Sequence, residues 1–246
     1  MNGNAGYLFY KDYFKGLSWD EASKENDRVR LSEKSAAIIG IPWSSIAINS
    51  VPETHFILKT RAPGLLLGSG VAHEAGIENE FKLGLYFDHT SGWPYVPGSS
   101  IKGVLRSAFK HPDYISDLTK IPLPDVPTLE KEIFAGIRKD KELAKYERDC
   151  FLDAHITKAP FPFLNDDYIT PHKHKDRKLA YLDPFIDPVP IRFLKIEPGV
   201  EFTFSFILND SGILDFNKVK KCELFKTILK DLGIGAKTNV GYGGLE

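Results

Sequence analysis

The chain has 246 residues, a formal charge of −1 from 32 Lys and Arg against 33 Asp and Glu, and two cysteines. Hydrophobic residues at 42% and charged residues at 26% describe a globular chain, which excludes a disordered or fibrous one. Cys150 and Cys222 form no disulfide framework, no apolar run reaches membrane-spanning length, and the first ten residues lack the pattern of a secretory signal, so a cytoplasmic, reducing setting with no membrane partner is expected.

In chain order, residues 6–37 read as helical. Tyr7, Phe9, Tyr10, Tyr13 and Phe14 supply an aromatic face, and the mixed charges of residues 20–34 a solvated one. Residues 55–61 alternate, with Phe56 and Leu58 on one side, and predict a strand. Glycine-rich turns at 64–70 and 92–98 bracket a hairpin-like region. Pro97-Gly98 then stops the preceding segment, Ser99 or Ser100 is placed to cap, and Ile101, Val104, Leu105 and Ala108 form the apolar stripe of a helix. Lys102, Arg106 and Lys110 line its opposite ridge.

Residues 111–127 hold four prolines and read as loop, residues 129–148 as a solvated helix, and residues 151–156 as a short strand. The Pro-rich stretch 157–190 shows no regular element. Residues 191–196 and 200–208 alternate on either side of Pro198-Gly199 and read as a hairpin. Residues 216–232 predict a helix stopped by Gly233, with Cys222, Phe225, Leu229 and Leu232 inward and Lys218, Lys221 and Lys226 exposed. A short last strand follows Asn239. The order strand, helix, strand, strand, helix, strand gives an α+β fold of ferredoxin-like βαββαβ plan with large insertions. The expected organisation is one domain over 1–246: a helical extension (1–50), a first half of the core (54–110), an insertion (111–190) and a second half (190–246).

Four constellations could carry chemistry. The first is the segment 233–244, with Gly235, Ala236, Lys237, Thr238, Asn239, Gly241 and Tyr242. Its glycines let main-chain amides approach an anion, and Lys237 adds charge. A tight turn packing the last helix on a strand would use the same residues. It is not a nucleotide P-loop, because Ala236 stands where glycine must precede Lys-Thr and no helix can follow, so no nucleotide cofactor is expected. The second is the helix start at Gly98, Ser99 and Ser100 with Lys102 and Arg106, a phosphate seat by its free amides and hydroxyls. The third is the run from His172, Lys173 and His174 to Lys178. Its charge suits a phosphate backbone better than a metal, since no nearby Cys, Asp or Glu completes a ligand set. The fourth is the Asp-His pairs, Asp88-His89 and Asp153-x-His155, which could orient a general base. Tyr95 and Tyr242 could stack on bases.

Taken together, the blocks at 97–106 (Pro-Gly-Ser-Ser-Ile-Lys-Gly-Val-Leu-Arg), 151–155 (Phe-Leu-Asp-Ala-His), 170–172 (Thr-Pro-His), 187–190 (Asp-Pro-Val-Pro) and 232–243 resemble, in this order, proteins of the RAMP superfamily, and among them subunits of the Cmr effector complexes of type III-B CRISPR systems. The resemblance covers about residues 54–244. It implies an RNA-recognition-like fold and a non-catalytic place in a ribonucleoprotein, with guide RNA, target RNA and other Cmr subunits as partners and no cofactor. The chain would lie towards the 3′ end of the guide RNA and cap the subunit filament. Carried over, the backbone contacts would be Gly98, Ser99, Ser100, Lys102 and Arg106 and the loop from Gly235 to Tyr242, the two bends converging on one sugar–phosphate thread. The alternative is a metal-independent endoribonuclease acting on repeat RNA, with His155 or His172 as base and Lys237 stabilising the transition state.

Overall fold

The computed structural model describes residues 4–18, 20, 23–44, 51–68, 77, 80–82, 84–170, 190–213 and 215–246. In chain order its helices are α1 (Ala5–Tyr10), α2 (Lys24–Ile39), α3 (Gly98–Ala108), α4 (Pro112–Thr119), α5 (Val126–Glu130) and α6 (Lys218–Leu232). Its strands are β1 (Thr54–Lys59), β2 (Tyr95–Val96), β3 (Ile137–Arg138), β4 (Lys141–Glu142), β5 (Cys150–Phe151), β6 (Ala154–Lys158), β7 (Leu164–Ile169), β8 (Ile191–Ile196) and β9 (Glu201–Ile207).

The central sheet runs β1-β9-β6-β2, with β5 beside β9. Leu245 bridges Thr60 just past the end of β1. Counting only the segment at Leu245, β1, β9 and β6, the order is 4-1-3-2, the ferredoxin-like arrangement that the βαββαβ plan requires. All pairings are antiparallel: Thr54 faces Phe206, Lys59 faces Glu201, and His155 faces Thr203. Alternation explains the layering. Thr54, Phe56 and Leu58 point inward with Phe202, Phe204 and Phe206, onto the layer holding α6; His55, Ile57 and Lys59 point outward. Phe206 meets Phe56 at 5.5 Å and Phe225 of α6 at 5.3 Å, so aromatic contacts join the sheet to its helical cover.

Several expectations are corrected. The N-terminal segment is not one helix but α1, a 3₁₀ turn at Asp12–Phe14 and α2. Nor is α2 wholly solvated: Asp27, Leu31, Ser35 and Ile38 are buried, and Asp27 accepts the Ser18 amide. Residues 111–127 hold α4, whose first residue is Pro112, where a missing N–H costs nothing. The helix expected over 129–148 is broken. From α5 the chain makes one π-helical turn, Lys131–Ala135, then the β3–β4 hairpin, where Lys139 and Asp140 both adopt positive φ. Residues 191–208 are not a hairpin either. β8 pairs with β7 in a separate two-stranded sheet, while β9 joins the central one, so the Pro198-Gly199 turn passes the chain between sheets. β7 lies in the stretch expected to be irregular.

The largest correction concerns charge. Lys221, expected on the solvated face of α6, is 1% exposed. Its ammonium lies 2.7 Å from Asp149 and 3.7 Å from Glu132, both buried. Glu132 also takes Arg138 at 3.1 Å and the Gly212 amide. This knot ties α6 to residues 132–149, between α5 and β5, and to the loop after β9. No described helix is long and apolar enough to cross a membrane.

Candidate nucleic-acid interface

The glycine-rich segment wraps from the end of α6 to the bridge at Leu245. Gly233 stops α6 at φ 68°. Ile234 and Gly243 then pair, the Ile234 amide donating to the Gly243 carbonyl at 2.9 Å and the Gly243 amide to Gly64 at 2.8 Å. A Cβ on Gly243 would stand 2.0 Å from the Ile234 oxygen, and its φ is +79°, so only glycine fits there. The Ala236 amide donates to Leu66. Between these anchors the loop is presented outward. Gly235, Thr238, Asn239 and Gly241 are exposed, and Ala236 and Lys237 half-buried. Lys237 takes the left-handed conformation, φ 60°, and Thr238–Val240 form a 3₁₀ turn behind it. The amides of Gly235, Lys237, Thr238 and Asn239, and the Lys237 ammonium, have no partner among the described residues. Neighbouring backbone amides and a cation without such partners are suited to a phosphate oxygen.

Tyr242 holds this loop from beneath and presents no free ring. It is buried, meets Phe193 edge-on at 5.7 Å, and donates to Asp167 at 2.7 Å. Burial and that bond push its hydroxyl up to about 12. Burial raises the Asp167 carboxyl, but bonds from Tyr242, the Tyr168 amide and Lys195 outweigh it and hold it below its ordinary value. Base stacking on Tyr242 is therefore corrected to a structural role.

The start of α3 is built differently. Pro97 occupies the N-cap and neither serine caps through its side chain. The cap is Asp153, whose carboxylate accepts the Gly98 amide at 2.7 Å. Ser100 and Ile101 amides turn back to the Pro97 carbonyl, leaving the Ser99 amide and the two serine hydroxyls. Gly98 is required by packing, since a Cβ would lie 2.2 Å from the Phe151 carbonyl oxygen. Arg106 pairs with Glu130 at 3.0 Å, and the Lys102 ammonium sits over the Phe151 ring at 5.6 Å. A carboxylate thus already complements the positive end of this helix. Asp153→Ala is expected to lower stability by about 1 kcal/mol, with Asp153→Asn losing less, read from urea midpoints. No change in the alanine variant would mean that the cap is not formed in solution.

The two bends do not converge. Gly98 lies beside Phe151, which faces Phe206 at one end of β9. The glycine-rich loop lies beside Arg61 and Gly64, past Lys59, which faces Glu201 at the other end. Five residues of strand, about 17 Å, separate the two levels.

Among the described residues, neither aspartate is bonded to the histidine beside it in sequence. Asp88 caps its own turn through Thr90 and Ser91, which overcome the effect of burial and hold its carboxyl at about 2. Asp153 is engaged by Gly98, and His155 instead stacks on Tyr95 at 6.2 Å. His172, Lys173 and His174 lie outside the described residues. No group of three His, Cys, Asp or Glu among the described residues is placed to hold a metal ion. Sequence reasoning missed Asp153 and Asp167 as the residues that set the geometry of the two blocks. Asp153 stands in a block it singled out, but was read as a partner for His155.

The family model of the RAMP superfamily matches residues 57–246. Among curated proteins, the chain is 25% identical over 220 residues to "CRISPR system Cmr subunit Cmr6" of Pyrococcus furiosus, covering 69% of this chain and 63% of that protein. It is 31% identical over 191 residues to "CRISPR system CMR subunit Cmr6" of Saccharolobus solfataricus, covering 78% of this chain and 56% of that one. The chain thus spans less than two thirds of the length of either relative. A chain in the cryo-EM structure of a type III-B Cmr-beta complex bound to cognate target RNA overlays with a TM-score of 0.57 at 22% identity, over 100% of this chain and 90% of that one. At that identity the likeness is one of fold.

Proposed function

Because the chain belongs to the RAMP superfamily, we propose that it is a non-catalytic, RNA-binding subunit of a type III-B CRISPR (Cmr) effector that acts against invading RNA in the cytoplasm. In this reading it holds the guide RNA backbone near its 3′ end, caps the row of backbone subunits, and meets target RNA and neighbouring Cmr subunits. The relatives named Cmr6 and the shared fold support the assignment. The observation that carries the RNA contact is the loop from Gly235 to Gly241, where four amides and the Lys237 ammonium have no partner among the described residues. The Ser99 amide and the Ser99 and Ser100 hydroxyls, at the other end of the sheet, are assigned a second and weaker contact, with the basic run at His172, Lys173 and His174 as a third.

Affinity that comes from phosphates is independent of sequence and steep in salt. Lys237→Ala with Asn239→Ala, reconstituted into the complex, is expected to lower guide-RNA retention several-fold and equally for unrelated guides. The log–log salt dependence should become shallower by about one for each phosphate that is no longer neutralised. Lys102→Ala with Arg106→Ala should cost less, since Glu130 and Phe151 already engage those side chains. Wild-type retention and salt slope in the loop variant would sink the proposal. Repeat RNA incubated with the purified protein in EDTA is expected to stay intact; cleavage lost in His155→Ala would favour the endoribonuclease.

A further inference from the structure

A row of rings starts on the outward side of β6 and β2 and continues past the edge of the sheet. His155 of β6 stacks on Tyr95 of β2, centroids 6.2 Å apart and planes 24° apart. Tyr95 lies 6.3 Å from Tyr86, whose carbonyl accepts the Tyr95 amide. Beyond them α1 contributes Tyr7 and Tyr10, which with Tyr86 and Tyr95 line a cleft of about 430 Å³. That volume is in the range of small-ligand sites.

Tyr10 and Tyr86 pack against the core on one side and keep part of their surface open to the cleft. Tyr7 is 53% exposed, and Tyr10, Tyr86 and Tyr95 are half-buried. The Tyr10 hydroxyl donates to the Leu85 carbonyl at 2.9 Å, fixing that ring as a wall. The hydroxyls of Tyr7, Tyr86 and Tyr95 have no partner among the described residues. The rim carries Lys11 and His89. Asp88, the acidic group of the lining, is held in its turn by three bonds to one oxygen. Partly exposed rings beside a cation form the platform on which unpaired bases stack, and a four-stranded sheet bearing aromatics on its open face can stack two or three of them.

We propose that this cleft and the adjoining Tyr95–His155 pair bind unpaired bases of single-stranded RNA, with the sugar–phosphate passing Lys11 and His89. The inference rests on the RNA-binding reading above, yet uses none of the loop residues. It gives the N-terminal segment a function, since α1 supplies one wall.

The full chain is titrated with a single-stranded oligouridine of about ten nucleotides, within the site size of one nucleic-acid-binding fold, and with an abasic strand of equal length, reading intrinsic fluorescence. Tyr86→Leu with Tyr95→Leu is expected to weaken oligouridine binding about tenfold, with an unchanged salt slope because no cation is removed. The abasic strand should bind both proteins alike. The phenylalanine pair should restore binding, and Tyr7→Ala, at an exposed position, should give a smaller loss in a protein of unchanged stability. Lys237→Ala should instead weaken both strands. Equal affinity of the wild type for the two strands, or wild-type affinity in the leucine variant, overturns the cleft alone. Binding of neither strand overturns the RNA reading beneath it. Binding of a proline-rich peptide with indifference to oligouridine would assign the rings to a protein partner and overturn the proposal.

Discussion

Lys221→Ala is expected to destabilise the protein by about 3–5 kcal/mol, out of the roughly 5–15 kcal/mol typical of a folded domain. The ammonium is 1% exposed and faces two buried carboxylates, Asp149 at 2.7 Å and Glu132 at 3.7 Å. Removing it strands Asp149, whose remaining bond is from the Asn209 amide. Glu132 keeps Arg138 and Gly212. Lys221→Met combined with Asp149→Asn should be more stable than Lys221→Met alone, because the uncompensated charge is gone; a coupling of about 1–3 kcal/mol is expected in a double-mutant cycle. Urea denaturation checks both statements, and a loss under about 1 kcal/mol for Lys221→Ala would show that water reaches the site.

The same knot sets an acid limit. Burial raises the Glu132 carboxyl, but Arg138, the Gly212 amide, Ser211 and Lys221 outweigh it, so it ionises below its ordinary 4.5. A carboxyl with a depressed folded-state value contributes stability that is present above its unfolded value and is lost as pH falls through the folded one. The Glu132 contribution should therefore be lost on the acid side of about pH 4.5, and Glu132→Gln should remove that loss. Asp149 acts in the opposite sense, since burial raises its carboxyl above the ordinary value despite Lys221 and the Asn209 amide.

The second large effect is expected at Gly243. Alanine there would place its Cβ 2.0 Å from the Ile234 oxygen at a φ of +79°. The clash is with backbone, so no side chain can yield. A loss of at least about 2–3 kcal/mol is expected, together with loss of guide-RNA retention as the Ile234–Gly243 pairing opens. Gly241→Ala is the control. Its φ is +97°, but the nearest atom is Pro63 Cδ at 3.5 Å, so strain without clash should cost about 1 kcal/mol. Equal costs at the two positions would mean that the pairing does not hold the loop.

Elements with an uninterrupted period were legible from residues alone. Phe56 and Leu58 marked β1, Ile101, Leu105 and Ala108 marked α3, and Phe202, Phe204 and Phe206 marked β9, each beside a glycine or proline stop. Pairing was not legible. β8 and β9 adjoin through Pro198-Gly199, and nothing in their alternation says that β8 pairs with β7 instead. Local propensity misled over the insertion, where a lysine- and glutamate-rich run turns at Lys139 and Asp140 with positive φ. Lys221 was misread by residue type although its spacing was informative. It stands three and four residues before Leu224 and Phe225, on the buried stripe of α6. Both glycine-bearing blocks were visible, but their separation was not, because it depends on β2 running antiparallel to β6 and delivering α3 to the far end of the sheet.

The strand order also dictates a timetable. Thr54 bonds to Phe206, 152 residues further along. At roughly 5–20 residues per second of translation, the first strand leaves the ribosome about 8–30 seconds before its neighbour exists. During that interval Phe56 and Leu58 have no central strand to cover them, and such a wait favours wrong pairings between nascent chains. Slowing synthesis over 60–200 should therefore lower the soluble yield, and slowing it over 207–217 should do so as well, because α6, which covers the inner face of β1 and β9, has yet to emerge.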